Sequence, residues 1–469
     1  MSLEKRSSSI HADLQEAGTP SHNAGEDVFI EKPDHDFHYK TLSWQASVCK
    51  RLDDFRDCQQ RDVLASLCAR SNRDRSSGYS CEINAFLFAF HSTELTKGQI
   101  VFLGIFGLFT AKLLIDFKLN HPNVHTMGDA GYILGGPVAR EVLALGTVIF
   151  AICGTGSELL SGQLALSILS NDGLCSILLL LIFSVATLAL ALPRTLDRLS
   201  WLGLASSLAI TLSGILAMIG AGLNPTPGRT ISATLPTNFF DAFVAITNPV
   251  FAYAGHFMFF ILISEMKRPQ DAMKAAWVLQ GFATIFYVVF AIVMYVYIGN
   301  SVASPALLSL PPKWGKATWA IALPNLLIAG GLYSHTAAKL VFVRIFRHTR
   351  HIYKHTLLGW TVWCGLCFLA VSLSFLFVVA VPIFSFLIGI SAALFASWYT
   401  YGIAGFFWLH DAAKLGGQKR AVLQQPVMLI LSVLTVLAGA FICIGGTYVF
   451  IKLIVDAYAS GAVGKPFTC

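Results

Sequence analysis

Ten long apolar stretches follow one another from residue 99 to residue 456, separated by short polar segments. A helix needs about 20 mostly apolar residues to cross the hydrocarbon core of a bilayer. Within the bilayer, a helix also satisfies its backbone N–H and C=O groups with hydrogen bonds inside the same segment. The pattern therefore predicts an all-α, polytopic membrane protein. The ten predicted spans are residues 99–117, 138–168, 174–193, 199–222, 238–264, 274–298, 318–343, 357–380, 382–409 and 426–456.

The distribution of charge supports this fold class. Charged residues make up 13% of the chain, about half the share typical of a soluble domain. Residues 1–97 hold 27 of the 59 charged residues. The remainder is too apolar for a soluble enzyme, a fibrous protein or a disordered one. No compact basic stripe with interleaved aromatics accompanies the net charge of +7, so the expected environment is a lipid bilayer, and nucleic acid is not an expected partner.

Lysine and arginine alternate between the loops. The loops after the odd-numbered spans, with the adjoining span ends, hold fourteen of these residues, and the opposite set with the C-terminal tail holds five. By the positive-inside rule, the first set is cytoplasmic. The span 99–117 then runs inward, which leaves the polar N-terminal residues outside although they contain no apolar signal segment. A membrane crossing before residue 99 is therefore missing, because the nearest apolar stretch, residues 83–90, is too short.

These boundaries predict three regions. Residues 1–97 form a polar N-terminal region that we expect to be disordered, and it includes an atypical segment, 46–97, rich in Arg, Asp, Ser and Cys. Residues 98–457 form the transmembrane domain. Residues 458–469 form a short C-terminal tail.

Three motifs resemble the amino acid/auxin permease family of transmembrane amino acid transporters, in its fungal neutral amino acid permease branch. They are GDAGYILGG at 128–136, NPVFAYAGHFMFFILISEMKRP at 248–269 and IAGGLYSHTAAKLVFVRIFR at 328–347. A shorter piece, DFHYKTLSWQ at 36–45, leads in that family directly into the first membrane helix. The resemblance implies a LeuT-like fold of eleven helices in two inverted repeats of five, with helices one and six broken at mid-membrane.

The first helix of that fold is absent here, and residues 46–97 stand in its place. The ten predicted spans would be family helices two to eleven. Two explanations are open: the chain is a defective relative, or this stretch reflects a misread splice junction.

The span 238–264 contains the residue types that break a helix. Pro249 removes the N–H that would bond to the Ala245 carbonyl, and Gly255 tolerates non-helical dihedral angles. We expect residues 248–256 to unwind and contact substrate; a simple proline kink is the alternative. The resemblance favours the first. The predicted substrate-binding residues are Asn248, Pro249, Tyr253, Ala254, Gly255 and His256, with Tyr333 and Ser334 of the span 318–343 as a second group.

Two residues are candidates for proton coupling. Glu158 is the only acidic residue well inside a span, and a carboxylate there is costly and therefore a functional candidate. It also lies about 20 residues into its helix, close to the outer water layer. His256 follows the predicted break and either carries a proton or holds the unwound backbone as a neutral, hydrogen-bonded residue.

The expected function is secondary active, proton-coupled import of neutral amino acids, including aromatic ones, by alternating access. The expectation of protons rather than sodium rests on the resemblance. We expect no enzymatic activity, cofactor or metal site, with a proton as the co-transported ion. An amino acid sensor that does not transport, or an inactive relative, is the alternative, motivated by the missing helix. The expected location is the plasma membrane, with the vacuolar membrane as the alternative.

Overall fold

The structure is a computed structural model, and it describes residues 94–194, 196–231, 238–266, 268–347, 349–381, 383–414 and 425–461. The N-terminal region up to residue 93, which includes most of the atypical segment, and the end of the C-terminal tail lie outside the described residues. The helices of the described part are α1 Glu94–Asn120, α2 Met127–Ser170, α3 Ser176–Ala191, α4 Leu196–Leu223, α5 Phe239–Ala252, α6 Phe259–Glu265, α7 Ala272–Ile298, α8 Pro312–Phe346, α9 Arg350–Tyr353, α10 Leu357–Ala380, α11 Phe384–Ser391, α12 Ile403–Lys414 and α13 Pro426–Ala459. Short 3₁₀ turns occupy Gly255–Met258, Pro269–Asp271, Gly299–Ser301 and Ala306–Ser309, and a π-helix, Ala392–Gly402, joins α11 to α12.

The all-helical, polytopic fold is confirmed. Every predicted span corresponds to a helix or to helices in series. In the described residues, nine of these helical segments are long and apolar enough to cross a membrane. The predicted span 174–193 forms the 16-residue helix α3, which is shorter than a full crossing needs. The two-repeat arrangement remains an implication of the resemblance.

Two contacts show which helix ends lie together. At the end predicted to be cytoplasmic, Nη2 of Arg194 donates to the His351 carbonyl at 2.8 Å. At the opposite end, Lys316 donates to Asn171. Helix α3 therefore joins opposite ends of the bundle despite its length.

Helix α2 is a bent helix that begins earlier than the predicted span 138–168. Gly136 has φ +71° and ψ −156°, a conformation open to glycine, and Pro137 follows it. The bend folds the first segment, residues 127–134, back onto the second. Gly128 and Gly131 allow this close approach, since a Cβ on Gly128 would lie 2.8 Å from that of Ala144 and one on Gly131 would lie 2.7 Å from the Ala139 carbonyl. The motif at 128–136 thus builds a helical hairpin at the end of the bundle that is predicted to be cytoplasmic.

The bundle has a packed centre and an apolar surface. In the most apolar part of α8, 78% of the residues are buried, against 22% in α13. Large apolar side chains such as Ile444 and Leu357 are exposed. Because these exposed apolar side chains lie on helices that are long enough to cross a membrane, the chain is an integral, multi-pass membrane protein.

Candidate functional site

The span 238–264 is broken, but later than predicted. Helix α5 ends at Ala252, the chain turns at Tyr253 and Ala254, and the 3₁₀ turn at Gly255–Met258 leads into α6. Asn248 and Pro249 therefore lie inside a helix, which corrects the predicted unwinding of residues 248–252.

The position of the break has a simple physical reason. A proline disturbs the turn that precedes it, because its ring and its missing N–H affect the carbonyl four residues earlier. The carbonyl of Pro249 itself still accepts the N–H of Tyr253 at 3.3 Å. Tyr253 and Ala254 then take negative φ angles of −101° and −87° outside the helical region, so the break needs no glycine conformation.

The break brings two oppositely polarised helix ends together at one point. The last carbonyl groups of α5 carry partial negative charge, and the first N–H groups of the Gly255–Met258 turn have no acceptor within their own helix. In membrane proteins, helix ends of this kind face anionic groups with their N–H groups and cations with their carbonyl groups.

Tyr253 joins the break to α1 and α7. Its hydroxyl lies 3.3 Å from the Ile100 carbonyl oxygen and 3.2 Å from Oγ1 of Thr284, and its ring packs against Tyr287 at 5.4 Å. The side chain is fully buried. Tyr253 thus holds the end of α5 against two neighbouring helices.

His256 lies between two carbonyl groups. Its Nε2 is 2.9 Å from the Gly107 oxygen on α1, and its Nδ1 is 3.2 Å from the Tyr253 oxygen at the break. A neutral imidazole has one N–H and can donate to one of these oxygens, whereas the imidazolium donates to both. The position therefore links the protonation state of His256 to the attachment of the break to α1.

The second predicted group meets the break through aromatic stacking. The rings of Tyr333 on α8 and Phe257 in the 3₁₀ turn stack with centroids 5.9 Å apart. Beside Tyr333, the hydroxyl of Ser334 is 3.1 Å from that of Thr155 on α2. The two sequence motifs at 248–269 and 328–347 are thus brought to one place.

Gly154 makes this contact possible. A Cβ on Gly154 would lie 3.0 Å from three atoms of the Tyr333 ring, so α2 and α8 approach closely at this level. The closeness places the Tyr333 ring over the break.

Phe150, one turn before Gly154, is the centre of an aromatic cluster. Its ring packs edge to face on Phe257 at 4.9 Å and on Phe251 at 6.1 Å, and it stacks with Phe395 and Tyr399. Phe150 is 1% exposed. We call these five residues, Phe150, Phe251, Phe257, Phe395 and Tyr399, the aromatic cluster.

A cavity of about 300 Å³ lies near this cluster, toward the end of the bundle that is predicted to be cytoplasmic. It lies between α2 and the end of α8, and its lining includes Thr147 and Val148, which precede Phe150 by less than one turn. Ion pairs of Arg344 with Glu141 and Arg347 with Asp129 surround its mouth. Its lining includes neither the predicted site residues nor a residue of the aromatic cluster.

Glu158 lies apart from the break. Glu158 is 2% exposed and packs against α8, because a Cβ atom added to Gly330 would lie 3.3 Å from the Cβ of Glu158. It is eight residues beyond Phe150, about 12 Å along the helix toward the predicted outer side. The two predicted proton carriers thus occupy different levels of the bundle.

Sequence reasoning missed two contributors to this site, Gly107 and Phe150. The chain has 35 phenylalanines and 38 glycines, and most phenylalanines in membrane spans face lipid or pack between helices. Nothing in the local sequence distinguishes these two. Gly154 carried a signal, because it shares a face of small and polar residues with Glu158 at a spacing of four residues, but its contact with Tyr333 was not predicted.

Known transport proteins resemble this chain in sequence over most of its length. The sequence profile of the family described as "Transmembrane amino acid transporter protein" matches residues 97–452. The chain is 28% identical to a "Transmembrane transporter" of Gibberella moniliformis over 79% of this chain and 80% of that protein. It is 28% identical to the "N amino acid transport system protein" of Neurospora crassa over 81% of this chain and 83% of that protein. Among solved structures, a Na⁺-coupled sialic acid symporter aligns with a TM-score of 0.47 at 11% identity, covering 84% of this chain and 92% of that one.

Proposed function

The chain belongs to the transmembrane amino acid transporter family, and from this premise we propose that it imports neutral amino acids, including aromatic ones, together with protons. The helix break at residues 253–258 is the observation that carries this proposal. It offers backbone donors and acceptors within a buried site, which is how a membrane protein binds a zwitterion without opposing charged side chains.

The surroundings of the break support a neutral side chain on the substrate. The side chains that meet it are aromatic rings, with the hydroxyl groups of Ser334 and Thr155 beside them. A charged substrate side chain would lose its hydration here without a partner charge, at a cost of several kcal/mol. An apolar or aromatic side chain gains by burial and stacking.

His256 is the proposed proton carrier. Protonation gives it a donor for each of its two carbonyl neighbours, and these belong to the break and to α1. A proton arriving at His256 therefore favours the state in which the break is held against α1. Glu158 is the second candidate, because it is a buried carboxylate within the bundle.

The cavity and the aromatic cluster support transport by alternating access. The cavity serves as the cytoplasmic vestibule, and the cluster around Phe150 is the barrier between it and the break. Movement of these rings opens the site to the cytoplasm, while the outer side is closed by packing around Glu158 and Gly330. Such gating by rearranged side chains and helices is common among transporters.

The alternative is an amino acid sensor that does not transport, or an inactive relative. Its motivation is the segment 46–97, which lies almost entirely outside the described residues, and the described helices provide no observation in its favour. We place the protein in the plasma membrane, where import of external amino acids takes place, with the vacuolar membrane as the alternative. Imaging of a fluorescently tagged chain decides between them.

Competition for uptake tests the substrate class. Uptake of labelled phenylalanine would be measured in cells that lack their own amino acid permeases, with surface protein quantified. Unlabelled leucine, tyrosine and alanine in excess are expected to reduce the signal, whereas glutamate and lysine leave it unchanged. Competition by lysine or glutamate as strong as that of leucine would contradict the neutral selectivity. No uptake from surface-expressed protein would favour the sensor.

A further inference from the structure

A cluster of metal-ligand side chains lies at the cytoplasmic end of the bundle, away from the break. His121 directly follows α1, and His410 and Asp411 lie in the last two turns of α12. One ligand atom from each of the three residues lies within 4.8 Å of the others. Among the residues that the structure describes, this is the one group of three or more His, Cys, Asp or Glu side chains with that property.

The three side chains already converge on a single carboxylate oxygen. Oδ1 of Asp411 is 2.9 Å from Nε2 of His121 and 3.1 Å from Nδ1 of His410. Two ligand atoms on one tetrahedral Zn²⁺ lie about 3.3 Å apart, given bonds of about 2.0–2.1 Å. The Asp–His separations therefore need to widen by only a few tenths of an ångström to admit the ion.

The supporting groups are those that a metal-binding carboxylate normally has. The second oxygen of Asp411, Oδ2, accepts a hydrogen bond from Nδ2 of Asn120 at 3.0 Å, which fixes the orientation of the carboxylate. The rings of Phe117 and Phe407 stack at 4.3 Å beside the cluster, and Phe117 also packs on His121 at 4.5 Å. The proposed ligand side chains thus pack against buried aromatic rings.

The charges around the three side chains also favour a divalent cation. The nearest lysine along α1, Lys118, donates from its ammonium group to the carbonyl groups of Pro122 and Val124. Two neutral histidines and one carboxylate form a donor set with one negative charge, which attracts a divalent cation.

We propose that His121, His410 and Asp411 bind a zinc ion that fastens the cytoplasmic end of α1 to that of α12. Two imidazoles and one carboxylate suit Zn²⁺, with water completing the four-coordinate shell. Mg²⁺ is a poor match, since it prefers an octahedron of oxygen ligands. The rest of α1 packs on the break through Gly107 and His256, so the ion stabilises the helix that supports the substrate site.

Direct metal binding to the full-length chain tests this proposal without a transport assay. The protein would be purified in detergent through an affinity tag that contains no histidine, stripped with a chelator, and titrated with ZnCl₂ by calorimetry. We expect one zinc ion per chain, a rise in the apparent melting temperature with Zn²⁺, and no rise with Mg²⁺. Co²⁺ as a spectroscopic probe is expected to show the absorption bands of tetrahedral coordination.

Two variants and a matched control locate the site. His410→Ala and Asp411→Asn are expected to weaken zinc binding by more than about tenfold, the smallest loss found even when a group that only supports a ligand is removed. Asp411→Asn keeps the size of the side chain and an oxygen that accepts hydrogen bonds, so it covers the case in which His410→Ala fails to fold. His355→Ala removes another histidine at the cytoplasmic end, one that accepts a hydrogen bond from Trp360, and is expected to leave binding unchanged. Zinc binding by wild type that equals that of Asp411→Asn, or no binding at all, would overturn the proposal and leave a hydrogen-bonded structural cluster.

Discussion

Replacing His256 with glutamine separates its role as a proton carrier from its role in packing. Glutamine has a similar reach, and its amide can still donate to the Gly107 carbonyl, which lies 2.9 Å from Nε2 in the native protein. It cannot take up a proton. The variant therefore lacks the second hydrogen bond, to the Tyr253 carbonyl at 3.2 Å, which only the imidazolium donates at the same time as the first.

The size of the effect follows from that one hydrogen bond. A hydrogen bond from a charged group contributes about 1.5–3 kcal/mol. If this energy holds the break against α1 in the protonated state, its removal lowers the acid-stimulated part of uptake by roughly 10- to 150-fold, at about 1.36 kcal/mol for each factor of ten. Uptake at neutral pH is expected to change much less.

The assay is initial uptake of a labelled neutral amino acid at acidic and neutral pH, normalised to surface protein. The control is His335→Gln, which replaces a second fully buried histidine whose Nδ1 lies 3.4 Å from the Ala191 carbonyl, away from the break. The control is expected to keep the ratio of acidic to neutral uptake even if its total uptake falls. A His256→Gln protein with the wild-type ratio would refute the assignment of the proton to this residue.

Three other substitutions test parts of the structure that the sequence does not explain. Gly136→Ala is expected to destabilise the protein by about 1–3 kcal/mol because φ is +71° at this position, and the melting temperature in detergent should fall. Gly281→Ala, on an open helix face, is the control and is expected to be neutral or slightly stabilising. Phe150→Leu is expected to weaken the aromatic barrier and to speed the efflux of preloaded substrate from proteoliposomes without an ion gradient. The lipid-facing change Phe368→Leu is expected to leave efflux unchanged, and equal efflux rates for the two variants would argue against a barrier at Phe150. Glu158→Gln is expected to retain the acid stimulation of uptake, since Glu158 packs on α8 well beyond the level of the break; a loss of that stimulation would move the proton to Glu158.

The helices could be predicted from sequence because a long apolar run has few alternatives in a bilayer. Most boundaries agree to within a few residues, as for residues 357–380, which form α10 without any shift. The start of α2 is the largest error. Its first segment contains Asp129 and two glycines and does not resemble a membrane span, although its capping box with Thr126 and its packing on the second segment make it helical.

The candidate site was only partly predictable. The motif at 248–269 located the break, but its onset moved to Tyr253 because a proline acts on the turn before it. The contacts of Phe150 and Gly154 depend on how α2 lies against α8, which a local pattern does not contain. His121 and Asp411 are 290 residues apart, so no spacing rule for metal ligands joins them.

Reconstitution of the purified chain into liposomes distinguishes proton-coupled import from facilitated diffusion and from sodium coupling. Labelled neutral amino acid would be supplied outside, with an inward proton gradient imposed in the absence of sodium, with and without a protonophore. We expect accumulation above the outside concentration that requires the gradient and is abolished by the protonophore. Uptake that only equilibrates, or accumulation driven by sodium and indifferent to the proton gradient, would contradict proton-coupled import.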